Sequence, residues 1–156
     1  MSRLDDRSYV ERLDPAGMVR RTEEFPAQGR RALEIALAAQ LPTFSAKNVV
    51  LTGLGGSAAG GDLTKALFDA QGRVPFVVNR DYALPAFVNK DTLVVAVSYS
   101  GNTEETIAAY HDAKMRGANV IVVTSGGLLA DFATKNGDGL IVVPGGQPPR
   151  TALGFL

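Results

Sequence analysis

The sequence predicts an α/β three-layer sandwich on a five-stranded, mainly parallel sheet, preceded by N-terminal helices. Two observations carry that expectation. Five short, β-branched apolar runs lie between residues 48 and 143, and they are continuous rather than alternating, as strands covered on both faces are. Helix-forming stretches with short links stand between most of these runs, and that alternation builds parallel sheets.

Taken in order, residues 1–47 are expected to be a helical segment packing on a domain that spans 48–156. Leu13-Asp14-Pro15 offers an N-cap followed by proline at the first helical position. Pro26 opens a second helical segment containing Leu33, Ile35, Ala36 and Leu37, and Pro42 closes it. The strands are then Asn48–Thr52, Val74–Val78, Thr92–Val97, Asn119–Val123 and Gly139–Val143. Helices are predicted over Ala58–Ala70, Thr103–Arg116 and Leu128–Asn136, with Gly117 as the residue past the end of the second. The chain ends on Leu153-Gly154-Phe155-Leu156, which is apolar. That ending is expected from truncation of a longer parent; a segment docked on the domain is the alternative.

Composition narrows the function. Lys+Arg and Asp+Glu both number 16 among 156 residues, so there is no basic excess of the kind nucleic-acid domains show. A local anion site built from backbone N–H groups needs no such excess. The absence of cysteine removes disulfides, thiolate catalysis and Cys-based zinc sites, and no metal or cofactor is expected. Met1 to Arg7 is charged and lacks the apolar core of a signal peptide. No apolar run approaches the roughly 20 residues of a membrane span. A soluble, cytoplasmic chain is expected, with neither nucleic acid nor membrane as partner.

In a parallel sheet, ligands sit beyond the carboxyl ends of the strands. Two such ends carry unusual loops. Gly53-Leu54-Gly55-Gly56-Ser57-Ala58 satisfies G-x-G-x-x-A, a weak dinucleotide fingerprint by itself. The acidic partner it needs is represented only by Asp81, which comes late, so an NAD(P) site stays open as an alternative. The second loop is more specific. Ser98, Ser100 and Thr103 supply hydroxyls, Gly101 lets the backbone approach closely, and a helix follows at once. Its free N–H groups and partial positive charge suit a phosphate. Simple capping by Asn102 or Thr103 leaves the two serines unexplained. Glu104 and Glu105 are assigned to the helix's outer face.

Ser98-Tyr99-Ser100-Gly101-Asn102-Thr103-Glu104-Glu105-Thr106 resembles the signature of sugar isomerase (SIS) domains, and Gly55-Gly56-Ser57 resembles their first ligand loop. Phe25-Pro26-Ala27-Gln28 and Pro149-Arg150-Thr151-Ala152-Leu153 resemble the bifunctional phosphoglucose/phosphomannose isomerases in particular. The resemblance implies a flavodoxin-like, nucleotide-free fold, the first of two SIS domains in a homodimeric parent. It implies that Ser98, Ser100, Gly101, Asn102 and Thr103 hold the phosphate of a hexose phosphate. Gly55, Gly56 and Ser57 would lie at the sugar, and Arg150 would stabilise a developing enediolate. The implied reaction is aldose–ketose exchange between glucose 6-phosphate or mannose 6-phosphate and fructose 6-phosphate. It needs a carboxylate base and usually a ring-opening histidine, which the family supplies from beyond the first domain. His111 is expected to be an exposed mid-helix residue rather than a catalyst, so the chain alone is expected to bind without turning over. A non-catalytic phosphosugar-sensing module is the alternative, with an NAD(P)-binding domain third.

Overall fold

A computed structural model describes residues 3–156; Met1 and Ser2 of the charged N-terminal segment lie outside them. The strands β1 (Asn48–Thr52), β2 (Phe76–Asn79), β3 (Thr92–Val97), β4 (Asn119–Thr124) and β5 (Gly139–Val142) form one sheet in the order β2-β1-β3-β4-β5. All four pairings are parallel, so the sheet is wholly rather than mainly parallel.

The inner strands are covered on both faces, which is why their sequences read as continuous apolar runs, whereas edge strand β5 leaves Val142 exposed. Val50, Val94, Val120 and Val122 point to one side, beneath Ala109, Tyr110, Ala113, Leu129 and Ala133. Those helical residues belong to α5 (Glu104–Met115) and α6 (Gly127–Asn136). Val49, Leu51 and Val97 point to the other side, where Phe68 of α4 (Gly55–Gln71) packs. Ala32 and Ile35 of α3 (Phe25–Ala38) cover the rest of that face, over Ile141 and Val143. The result is three layers, as the sequence predicts.

The chain from β2 to β3, where no helix is predicted, contains none; Leu84 and Val88 pack into the core in the place of one. That connection is held by Leu84 N donating to Asp112 Oδ2 at 3.0 Å and Arg116 Nη1 donating to Pro85 O at 2.9 Å. Several other local expectations change. Strand β2 starts at Phe76 rather than Val74, and α3 ends at Ala38, before Pro42. Pro15 does not open a helix. It lies in a turn between α1 (Arg7–Leu13) and α2 (Met18–Glu23), and the Asp14 carboxylate reaches past it to Met18 N and Val19 N, both at 2.8 Å. The capping chemistry is right but acts on a helix that starts later. Bonds from the backbone of Val19 and Met18 hold the Asp14 carboxyl below its ordinary range.

The largest correction concerns α4. It begins at Gly55, so Gly55, Gly56 and Ser57 form its first turn instead of a loop before it. Glycine is a poor helix former in a helix interior, but a first turn tolerates it. The apolar chain ending is packed: Ala152 and Phe155 are buried, and a Cβ on Gly60 would come within 2.8 Å of the Leu156 carbonyl. Among the described residues no helix is long and apolar enough to cross a membrane.

Candidate functional site

From β1 the chain turns outward to β2, whereas β3 lies on the other side of β1. The β1–β3 pair is therefore the point at which the connections diverge and a crevice opens beyond the strand ends. β1 leads there into α4 and β3 into α5. The two exits touch: a Cβ on Gly53 would lie 2.7 Å from Val97 O and 3.1 Å from Ser57 Cβ. Only glycine allows that approach. Neither helix has a side-chain cap from its N-cap residue, Leu54 or Thr103, so first-turn N–H groups and the positive dipole ends of both helices stand at the same end of the sheet.

The loop after β3 is ordered by its own hydroxyls. Ser98 is almost wholly buried and its Oγ accepts from Gly101 N at 3.2 Å. The same oxygen lies 2.8 Å from Thr103 Oγ1. Ser100 is exposed, and its Oγ accepts from Asn102 N at 3.2 Å. Gly101 takes φ 70°, and a Cβ there would overlap the carbonyl of Gly126. Position 101 thus needs glycine for its conformation and for its neighbour. Thr103, the N-cap residue of α5, is half-buried.

The loop after β4 braces this arrangement. Ser125 N and Oγ both donate to Tyr99 O, at 3.0 and 2.6 Å. Leu129 N donates to Gly101 O at 3.0 Å, and Asn102 Oδ1 accepts from Leu128 N at 3.0 Å. The Asn102 side chain therefore caps α6 rather than its own helix. Tyr99 is buried; its hydroxyl donates to Pro144 O at 2.9 Å and accepts from Gln147 N at 3.2 Å. These supports, Tyr99 and Ser125, escape sequence reading because their partners lie 26 to 48 positions away.

At the other exit Gly55 is exposed, Gly56 half-buried and Ser57 buried. A Cβ on Gly56 would sit 3.4 Å from Pro149 O, so the short helical turn Pro149–Thr151 lies against the first turn of α4. Arg150, exposed on that turn, lines a cavity of about 210 Å³ with Met18, Arg21, Thr22, Phe25, Thr151 and Leu153. Structure thus brings the glycine turn, the serine loop and the Arg150 turn around one end of the sheet.

Other candidates stand apart. His111 is exposed on α5, with its ring edge-on to Phe132 at 4.9 Å between centroids. Asp81 is turned onto its own backbone neighbour, its Oδ1 accepting from Tyr82 N at 2.7 Å. That is the geometry of a turn residue. Tyr82 follows on the rim near α5: burial, and then the charges of Glu104 and Glu105, push its phenol above the ordinary value. Glu104 is exposed, as expected, and Glu105 half-buried. Among the described residues no three acidic or histidine side chains form a metal-binding group.

Comparison with known proteins shows the family and the fold. Residues 44–135 match the SIS domain family. The bifunctional phosphoglucose/phosphomannose isomerase of Caldicellulosiruptor bescii is 48% identical over 133 residues, which are 84% of this chain and 39% of that protein. The enzyme of the same name from Thermoplasma acidophilum is 44% identical over 114 residues, 73% of this chain and 34% of its own length. The chain therefore spans less than two-fifths of these relatives. Among solved structures, the C-terminal domain of glucosamine-fructose-6-phosphate aminotransferase from Francisella tularensis superposes with a TM-score of 0.66 at 15% identity, covering 88% of this chain and 46% of that one.

Proposed function

This chain belongs to the SIS domain family, and on that premise we propose that it is the hexose-phosphate-binding part of an aldose–ketose isomerase. The observation that carries the reading is the Ser98–Thr103 loop, set at the uncapped N-terminus of α5 where the connections diverge. The phosphate sits on the first-turn N–H groups of α5. The exposed Ser100 hydroxyl, whose oxygen already accepts from Asn102 N, donates its proton to the phosphate. Ser98 works one layer back: its oxygen accepts from Gly101 N and lies 2.8 Å from Thr103 Oγ1, and in this reading Ser98 is the donor of that pair. Thr103 is then left with its own proton aimed outward, and the chain of donors polarises toward the anion.

The sugar extends from there toward Gly55, Gly56 and Ser57, whose backbone offers close approach. Arg150 is the cation for the charge that develops at C1–C2. Residues 48–156 form the phosphosugar-binding unit, and of the segment before it α3 packs on that unit. In the longer protein a carboxylate removes the C2 proton, an enediol forms, and the proton returns to C1. Glucose 6-phosphate or mannose 6-phosphate and fructose 6-phosphate are thereby exchanged. The base and the ring-opening histidine come from outside this chain, the histidine from the neighbouring subunit of a homodimer working in the cytoplasm.

Thermal melting tests the reading. Fructose 6-phosphate raises the midpoint more than fructose does at equal concentration; equal shifts would overturn the phosphate assignment.

A further inference from the structure

We propose that Gln28 is a positioning residue for Arg150: its carboxamide pins residues 147–151 to α3 and so sets where the turn that carries Arg150 stands against the first turn of α4. The inference rests on the role given to Arg150 above, but its geometric half stands by itself. Gln28 is the buried residue of α3, on a helix whose other side chains are half-buried or exposed. Its Nε2 donates to Thr151 O at 2.8 Å and to Gln147 Oε1 at 3.1 Å, bridging more than a hundred positions of sequence. Thr151 O is an acceptor, so the amide group that faces it has to be the NH2.

Packing follows the same contact. A Cβ on Gly154 would come within 2.8 Å of Gln28 Cβ, so the chain after Arg150 passes directly over this residue before Ala152 and Phe155 pack with Ala32 and Ile35. Volume does not explain the choice. Gln28 Oε1 is buried without a protein hydrogen-bond partner, and methionine would fill nearly the same space without leaving an acceptor unpaired. What methionine could not do is hold Thr151 O. The turn is further closed by Thr151 N and Oγ1, both donating to Pro148 O at 2.9 Å. Gln147 N meanwhile donates to Tyr99 Oη at 3.2 Å. The segment bearing Arg150 is thus fastened at one end to the serine loop and at the other to α3. Pro149 O rests on Gly56 between them.

The test compares Gln28→Met, Arg150→Met and the double variant. Amide hydrogen exchange reads the clamp: Gln28→Met speeds exchange across residues 147–155 and leaves the Ser98–Thr103 loop unchanged. Titration reads the consequence. Gln28→Met and Arg150→Met each weaken fructose 6-phosphate by about tenfold or more, leave inorganic phosphate unaffected, and are not additive in the double variant. A merely structural role would lower both ligands together. If Gln28→Met does not fold, Gln147→Ala moves the same readouts by less from a half-buried position. Unchanged exchange overturns the clamp. Faster exchange with fructose 6-phosphate affinity unchanged in both single variants overturns the role of Arg150 and leaves the clamp. Additive losses overturn the link between the two residues.

Discussion

The hydroxyl oxygens of Ser98 and Thr103 lie 2.8 Å apart, one buried at the end of β3 and the other at the head of α5. That single contact divides the serines of the loop into two kinds. Ser98 shapes the loop from behind, through Gly101 N and Thr103, whereas Ser100 faces solvent.

Substitution separates the two. Ser98→Ala removes the contact to Thr103 Oγ1 and the side-chain share of the Gly101 N bond, while Ser98 O still accepts from Gly101 N at 3.1 Å, and stability falls by about 0.5–1.5 kcal/mol. Ser100→Ala changes stability by less than about 0.5 kcal/mol, as exposed substitutions do. It nevertheless weakens fructose 6-phosphate roughly tenfold or more, the worth of a hydrogen bond to a charged group. Denaturant titration and calorimetry check both; a Ser100→Ala protein with full affinity removes that residue from the site.

Gly101→Ala meets two obstacles at once. The left-handed backbone at φ 70° costs a Cβ-bearing residue about 1–2 kcal/mol. The new methyl also overlaps Gly126 O, so the loops after β3 and β4 must separate. Thermal melting shows a loss greater than the backbone penalty alone, and phosphosugar binding disappears with it.

Far from the site, buried Tyr110 donates to Asp138 Oδ2 at 2.6 Å and accepts from Asn136 Nδ2 at 2.7 Å. Burial first, and then the Asp138 carboxylate, push its phenol up to about 12 from 10.0. A folded value above the unfolded one gives stability that is complete below pH 10 and is lost as pH rises toward 12. Tyr110→Phe is less stable at neutral pH because the Asp138 network loses a donor. Its stability is also flatter across that alkaline window. Urea titrations from pH 8 to 12 measure both effects, and identical slopes in the two proteins would contradict the assignment.

Turnover supplies the last test. His111 sits on α5 against Phe132, away from the crevice. The 156-residue chain therefore binds fructose 6-phosphate without interconverting it with glucose 6-phosphate. Coupled assay at high protein concentration reads this, and robust activity would place the base within the chain.

Strand positions were legible because strands buried on both faces need unbroken apolar runs; the expected bounds of Asn48–Thr52 and Thr92–Val97 are those observed. The serine loop was legible for a related reason: hydroxyls and a glycine between a buried strand and a helix have few other uses. The start of α4 was missed because the glycines at 55 and 56 argue locally against helix, and only the packing of Ser57 beside Gly53 shows otherwise. Asp14 was misplaced by one turn because a carboxylate reaches across residues that a cap pattern treats as helix.

Sequence by itself determined the layers, the parallel sheet and the place of the Ser98–Thr103 loop between a buried strand and a helix, since each follows from periodicity or from neighbouring residues. Tertiary structure alone decided that Ser98 turns inward while Ser100 turns out, that Asn102 caps the wrong-numbered helix, and that Gln28 holds the Arg150 turn. These depend on contacts between segments up to 123 positions apart. A donor's partner at such a distance is set by how the layers pack, and no local pattern of residues records it.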